Sequence, residues 1–247
     1  VGEPLAGGRW SLVSQLISGS ANATMTAVAR AKLLLNRYGI VSREVAAAEN
    51  LPGGFAAVYK VLREMEETGK LRRGYFIEGL SGAQFASAGA IDRLRACRAD
   101  SDERDLAVTS DEIQLLCAMD PANPYGSLLP WPDTGDPEQQ AKPRRVAGAW
   151  VFLARGRPLL YVGRRGRSLL TFPENLRRHD GALGSALDAL RRLPKDGRRG
   201  LLVIQTIDNC PASESILLGH FREAGFRPDY RGLVDMQVPT AGRAQGA

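Results

Sequence analysis

Cysteine and histidine are scarce in this 247-residue chain, which holds only Cys97, Cys117 and Cys210 and only His179 and His220. The cysteines are far apart and form no C-x-x-C pair. That argues against a disulfide framework or a zinc knuckle and for buried, reduced thiols. Two histidines do not make a histidine-rich metal site. No apolar run approaches the ~20 residues of a membrane-spanning helix, so the expectation is a cytoplasmic protein with no membrane partner. There is no G-x-x-x-x-G-K-[ST] phosphate loop. The one Gly-Lys pair, Gly69–Lys70, precedes Leu71 and lacks the first glycine at the right spacing. A DExH box and a G-x-S-x-G elbow are absent too. The chain itself therefore carries no P-loop motor and is expected to bind no cofactor. The acidic run from Asp102 to Asp105 reads as a solvated face rather than a hydrolytic pair. Val1 opens the chain without an initiator Met and without a signal peptide, which suggests a fragment of something longer.

What is present is a globular composition, 44% hydrophobic and 24% charged, long enough for one large or two ordinary domains. The net charge of +6 is unevenly spread. Residues 142–199 hold 15 Lys/Arg against 4 Asp/Glu, whereas residues 1–141 hold 14 against 18. Such a concentration suits a phosphate-bearing partner; the alternative is an ordinary solvated surface rich in arginine.

Pattern divides the chain into four stretches. Residues 1–24 read as the end of a preceding module, with GRWSLV as a short strand, followed by a small-residue linker. Residues 25–100 read as a winged helix domain. A first helix, capped by Thr24 or Thr26, runs to Tyr38, and Gly39 stops it. Ser42 caps a short second helix. A third, residues 55–68, carries Phe55, Val58, Tyr59, Leu62 and Met65 as a core-facing stripe. KLRRGYFIEG and GAQFAS then pair as a wing, and a further helix follows Ser87. In a winged helix-turn-helix the third helix can enter the DNA major groove, which makes Lys60, Arg63, Arg72 and Arg73 candidate DNA contacts. The alternative is that this module packs on protein.

Residues 106–238 read as a barrel-like α+β domain. It has strands at 146–154, 158–163 and 167–172, a helix at 181–193, the buried strand LLVIQTI, a helix capped by Ser213 and a last strand, FRPDYRGLVDMQV. Residues 239–247 read as a frayed tail. The fold class is thus α+β: a winged helix-turn-helix domain, then a mixed α/β barrel-like domain with antiparallel strands.

The segment DPANPYGSLLPWP, residues 120–132, holds four prolines around Tyr125 and Trp131. Proline excludes both helix and central strand there. Two rigid rings beside Arg144, Arg145, Arg155, Arg157, Arg164, Arg165 and Arg167 are what a single-strand path needs, because every base has a face to stack. The competing reading is a loop that plugs one end of the domain, with Trp131 in its core.

RWSLV, LLNRYGIVSREVAAAENLPGGFAAVYKVLREMEETGKLRRGYFIEGLSGAQFA, DPANPYGSLLPWP and GRPLLYVGRRGRSLLTF, in this order, resemble the C-terminal region of large helicase-related (Lhr-type) bacterial DNA helicases. The resemblance covers residues 9–235. It implies an N-terminal helicase core in the same polypeptide that uses ATP and Mg to move 3′ to 5′ on DNA, with a role in DNA repair. It also implies single-stranded or partly duplex DNA as partner, and self-association into a homo-oligomer. The family's C-terminal domain is similar to winged-helix DNA glycosylases, and the resemblance implies uracil excision by an aspartate near the chain end. In this sequence the resemblance transfers that role only to Asp235, the last acidic residue. A DNA glycosylase needs such a carboxylate beside a base pocket.

Overall fold

The computed structural model describes residues 11–14, 22–99, 112–136, 138, 140–178, 180–193 and 202–235. Most of the expected leading module, the charged link after residue 99 and the 239–247 tail lie outside these residues. Of GRWSLV, the described part turns helical at Val13–Ser14 rather than extending as a strand. The chain forms two compact units, Val1–Arg93 and Leu94–Ala247.

In the first unit, α1 (Ala23–Tyr38) is capped by Asn22, not by Thr24 or Thr26. The Asn22 side chain accepts the Thr24 N–H at 3.0 Å, which satisfies one of the free donors at a helix start. Gly39 (φ 71°) ends α1, and a Cβ there would sit 2.9 Å from Ala90 Cβ. After β1 (Ile40–Val41), Ser42 caps α2 (Arg43–Ala48) through the Val45 N–H. α3 (Ala56–Glu67) buries Val58 and Leu62 completely, leaving Tyr59 at the margin. β2 (Arg72–Gly74) and β3 (Gln84–Ala86) form the wing, and β1 adds antiparallel to β3 in the order β1-β3-β2. α4 (Ala88–Ala99) follows.

The wing loop between β2 and β3 is tied from beneath. Gln84 is fully buried, and its Oε1 accepts the N–H groups of Phe76 and Ile77, both at 2.9 Å. Its Nε2 donates to the Ile77 carbonyl. From the side, Glu44 of α2 accepts the N–H and hydroxyl of Ser81. Burial alone would raise the Glu44 carboxyl, but hydrogen bonds from Ser81 and Ser42 overcome it and hold the pKa at about 2. A depressed carboxylate stabilises the fold above its ordinary pKa and loses that contribution as pH falls. The wing anchor should therefore hold at pH 5 and above and release between the usual carboxylate range and about pH 2. Amide exchange at Ser81 checks this, and Glu44→Gln should remove the pH dependence.

The second unit is built on a six-stranded sheet in the order β10-β9-β7-β6-β5-β4. Its strands are β4 (Gln114–Cys117), β5 (Trp150–Ala154), β6 (Arg157–Val162), β7 (Ser168–Thr171), β9 (Thr206–Ile207) and β10 (Cys210–Pro211). All pairs are antiparallel except β7 with β9. Successive side chains face opposite sides of a strand. Phe152, Leu160, Val162 and Leu169 thus enter one core with Leu187 and Leu190 of α6 (Ala182–Arg191), Phe221 of α7 (Leu218–Glu223) and Phe226. A short helix, α5 (Pro173–Arg177), joins β7 to α6. Val151, Leu153, Tyr161, Leu170 and Phe172 enter a second core on the other face. A bulge between Phe152 and Leu153 lets both Leu159 and Leu160 join the first core.

LLVIQTI is not one strand. It breaks at Gln205 into β8 (Val203–Ile204) and β9, so one segment serves two sheets. β8 pairs with β12 (Gly232–Asp235), which pairs with β11 (Phe226–Asp229). The expected last strand is therefore a hairpin turned at Tyr230–Arg231, and the helix expected after Ser213 starts only at Leu218. Among the described residues the second unit holds a mixed six-stranded sheet and a small antiparallel sheet, and no closed barrel is found. Nor are the described thiols buried: Cys97 and Cys210 are exposed and Cys117 is half-buried, all free.

Candidate nucleic-acid interface

The candidate residues of the first unit sit on α3 and the wing, but half of their charge is cancelled locally. Arg63 Nε lies 2.9 Å from Glu67, and Arg73 Nε lies 3.4 Å from Glu66. Together with Tyr59 these four line a shallow depression of about 350 Å³. Lys60 and Arg72 are exposed and carry no such partner among the described residues. A recognition helix with this face presents little net attraction to a phosphate groove.

In the second unit the proline loop does not stand open as a stacking platform. Trp131 stacks on Tyr125 (centroids 5.8 Å, planes 25° apart) and on Phe172 (6.2 Å, 13°), and meets Tyr161 edge-on. Gly126 (φ 74°) passes so close that a Cβ would lie 2.3 Å from the indole nitrogen. The Tyr125 hydroxyl donates to the Gly156 carbonyl at 3.0 Å, and burial raises its pKa against the opposing charge of Arg157. The rings close the second core because that sheet face would otherwise be bare of cover. Arg145 is likewise a staple: its guanidinium donates to the carbonyls of Met119, Asp120, Asn123 and Tyr125 at 2.5–3.3 Å. These are irregular-backbone acceptors, of which Asp120 and Tyr125 also take a hydrogen bond from Asn123 within the loop. Neither Trp131 nor Arg145 has the free face or free charge that the sequence reading gave it.

Arg164, Arg165 and Arg167 differ. They occupy a tight 3-10 turn (Arg164–Gly166) and its exit between β6 and β7, all exposed, and no side-chain partner engages them among the described residues. Arg165 adopts φ 64°, a conformation unusual for a non-glycine residue. The turn is fixed: a Cβ on Gly163 would strike Ser168 Oγ at 2.2 Å, and one on Gly166 would strike Leu202 at 2.5 Å. Tyr125 is anchored at Gly156, at the other end of β6. Roughly seven residues of extended chain separate the ends by about 23 Å. The rings and the free guanidinium groups therefore do not share one track. Arg144 is exposed, and its carbonyl accepts the Tyr161 hydroxyl and the Val146 N–H. Arg155 pairs with Glu112 at 3.7 Å.

Asp235 is 0% exposed, and its Oδ1 accepts from Arg191 Nε at 3.3 Å. A different carboxyl, which sequence reading missed, is better exposed. Asp208 occupies the β9–β10 turn and accepts the Thr171 N–H and hydroxyl, each at 2.7 Å. Burial raises its pKa, and the charge of Asp136 adds to that. Asp136 is itself buried and accepts the N–H groups of Glu138 and Ala141. The only sequence signal for Asp208 is an Asp-Asn pair, a hairpin-turn marker that says nothing about ionisation.

Residues 20–106 match the family model for the large helicase-related protein winged-helix domain. Over 206 residues, 83% of this chain, the sequence is 39% identical to a Mycolicibacterium smegmatis protein named Lhr helicase/probable uracil glycosylase. Over 236 residues, 93% of the chain, it is 38% identical to the Escherichia coli Lhr helicase/uracil glycosylase. The matched part spans 13% and 14% of those relatives, so the chain corresponds to a small part of each. A winged helix in its expected place and identity that runs through both units place this chain in the Lhr family, as a C-terminal Lhr-type region.

Proposed function

We propose that this chain is a DNA-contacting region of an Lhr-type ATP-dependent helicase that serves DNA repair, the 3′ to 5′ motor lying elsewhere in the same polypeptide. The observation that carries this reading is the β6–β7 turn, where Arg164, Arg165 and Arg167 stand exposed on a rigid support, without counter-ions among the described residues. Three guanidinium groups with no partner attract a polyanion, and their fixed backbone lowers the entropy cost of binding. Arg72 and Lys60 add free charge in the first unit. Fluorescence anisotropy with a labelled single strand tests it. Arg164→Glu/Arg165→Glu/Arg167→Glu should abolish binding. If these arginines meet three phosphates, they contribute about twentyfold of the loss in affinity between 50 and 200 mM salt. Binding that ignores salt, or that survives the triple substitution, would overturn the assignment.

A second reading, uracil excision, is favoured by the names of both relatives. In it, Asp235 is the carboxyl assigned by resemblance and Asp208 is the half-exposed alternative with the raised pKa.

A further inference from the structure

Tyr75 is 84% exposed at the start of the wing loop. Its neighbour explains why. Phe76 folds back so that a Cβ on Gly74 would lie 3.1 Å from the ring, which covers that glycine and leaves the residue between them turned to solvent. The loop that carries Tyr75 is immobilised by buried Gln84 and by the Glu44–Ser81 contacts. A rigid aromatic held outward is costly to hydrate and cheap to dock. Its surroundings are polar and basic rather than apolar. Residues 70–78 carry Lys70, Arg72 and Arg73 against Glu78, and Glu78, Gly79, Ser81 and Gly82 are exposed. A protein hot spot sits in a packed, desolvated centre, whereas Tyr75 is the one exposed large apolar side chain of residues 70–86. A nucleobase needs only a ring face and nearby cations for its phosphates.

We propose that Tyr75 is a stacking contact for an unpaired nucleobase, with the flanking phosphates met by Arg72 and Lys70, both free of partners among the described residues. Arg72 lies three residues before Tyr75, about 10 Å along an extended strand. The proposal rests on the nucleic-acid reading above but places a contact in the first unit, independent of the arginine turn.

The test uses the whole chain and a fluorescein-labelled oligothymidylate. Tyr75→Ala should weaken binding about tenfold, and Tyr75→Trp should keep it near wild type. A 2-aminopurine placed in the oligonucleotide should be quenched by the wild-type chain and not by Tyr75→Ala. If Tyr75→Ala binds like wild type while the triple arginine variant does not bind, the Tyr75 proposal fails and the functional reading stands. If the wild-type chain binds no oligonucleotide, both fail. If Tyr75→Ala changes only the mass seen by light scattering, the ring is a protein contact and the proposal is overturned.

Discussion

Arg191→Ala is expected to destabilise the second unit by about 1.5–3 kcal/mol, because it takes a charged hydrogen-bond donor from a fully buried carboxylate. Asp235 is fully buried on β12, and Arg191, at the end of α6, reaches it from a site that is itself mostly covered. Gly225 (φ 92°) lies against the same guanidinium, where a Cβ would meet its atoms at 3.1–3.2 Å. The arginine thus links α6, the α7–β11 turn and β12. Removing Arg191 leaves the buried carboxylate with one charged donor fewer, whereas Arg191→Met/Asp235→Leu removes the buried charge as well and should recover most of the loss. Urea denaturation of the two variants and the wild type measures this. The same experiment disciplines the uracil-excision reading. Asp235→Asn is expected to lower the melting temperature, so cleavage of a uracil-containing oligonucleotide must be compared below that midpoint. Lost cleavage in a folded Asp235→Asn, with Asp208→Asn still active, would support the C-terminal aspartate. The reverse pattern would move the role to Asp208.

Trp131→Ala is the second large effect, at about 3 kcal/mol, the lower end for a tryptophan truncation because the ring keeps some exposure. The indole meets Tyr125, Tyr161 and Phe172, so its removal opens the cover of the second sheet face. Trp131→Phe should cost less than half as much, since a smaller ring retains the stack. Thermal melting gives the size. Oligonucleotide binding gives the discriminating result: with folding intact, Trp131→Phe should leave affinity unchanged. A large loss of affinity in Trp131→Phe at unchanged stability would restore the loop as a stacking surface.

The winged helix was legible because its signals are local. Gly39, Ser42 and Gly69 punctuate the chain, and the 3.6-residue stripe around Val58 and Leu62 marks the buried face. The strands β5, β6 and β7 were legible for the same reason, as short apolar runs bounded by glycine-containing turns. The split of LLVIQTI was not, because one apolar run reads alike whether it serves one sheet or two. The start of α7 was misread because Ser213 resembles a cap, yet the following residues form turns before Leu218.

The candidate site divides the same way. Composition alone located positive charge in residues 142–199 and rigid rings in residues 120–132. It could not tell a free cation from a bound one, since Arg145 and Arg165 are the same residue type. Only the fold turned Arg145 inward onto four carbonyls, joined Asp235 to Arg191, stacked Trp131 on Phe172, and left Arg164, Arg165 and Arg167 at the far end of β6. Residue identity sets which interactions a side chain can make; which of them it makes depends on partners distant in sequence, and those only tertiary packing brings within reach.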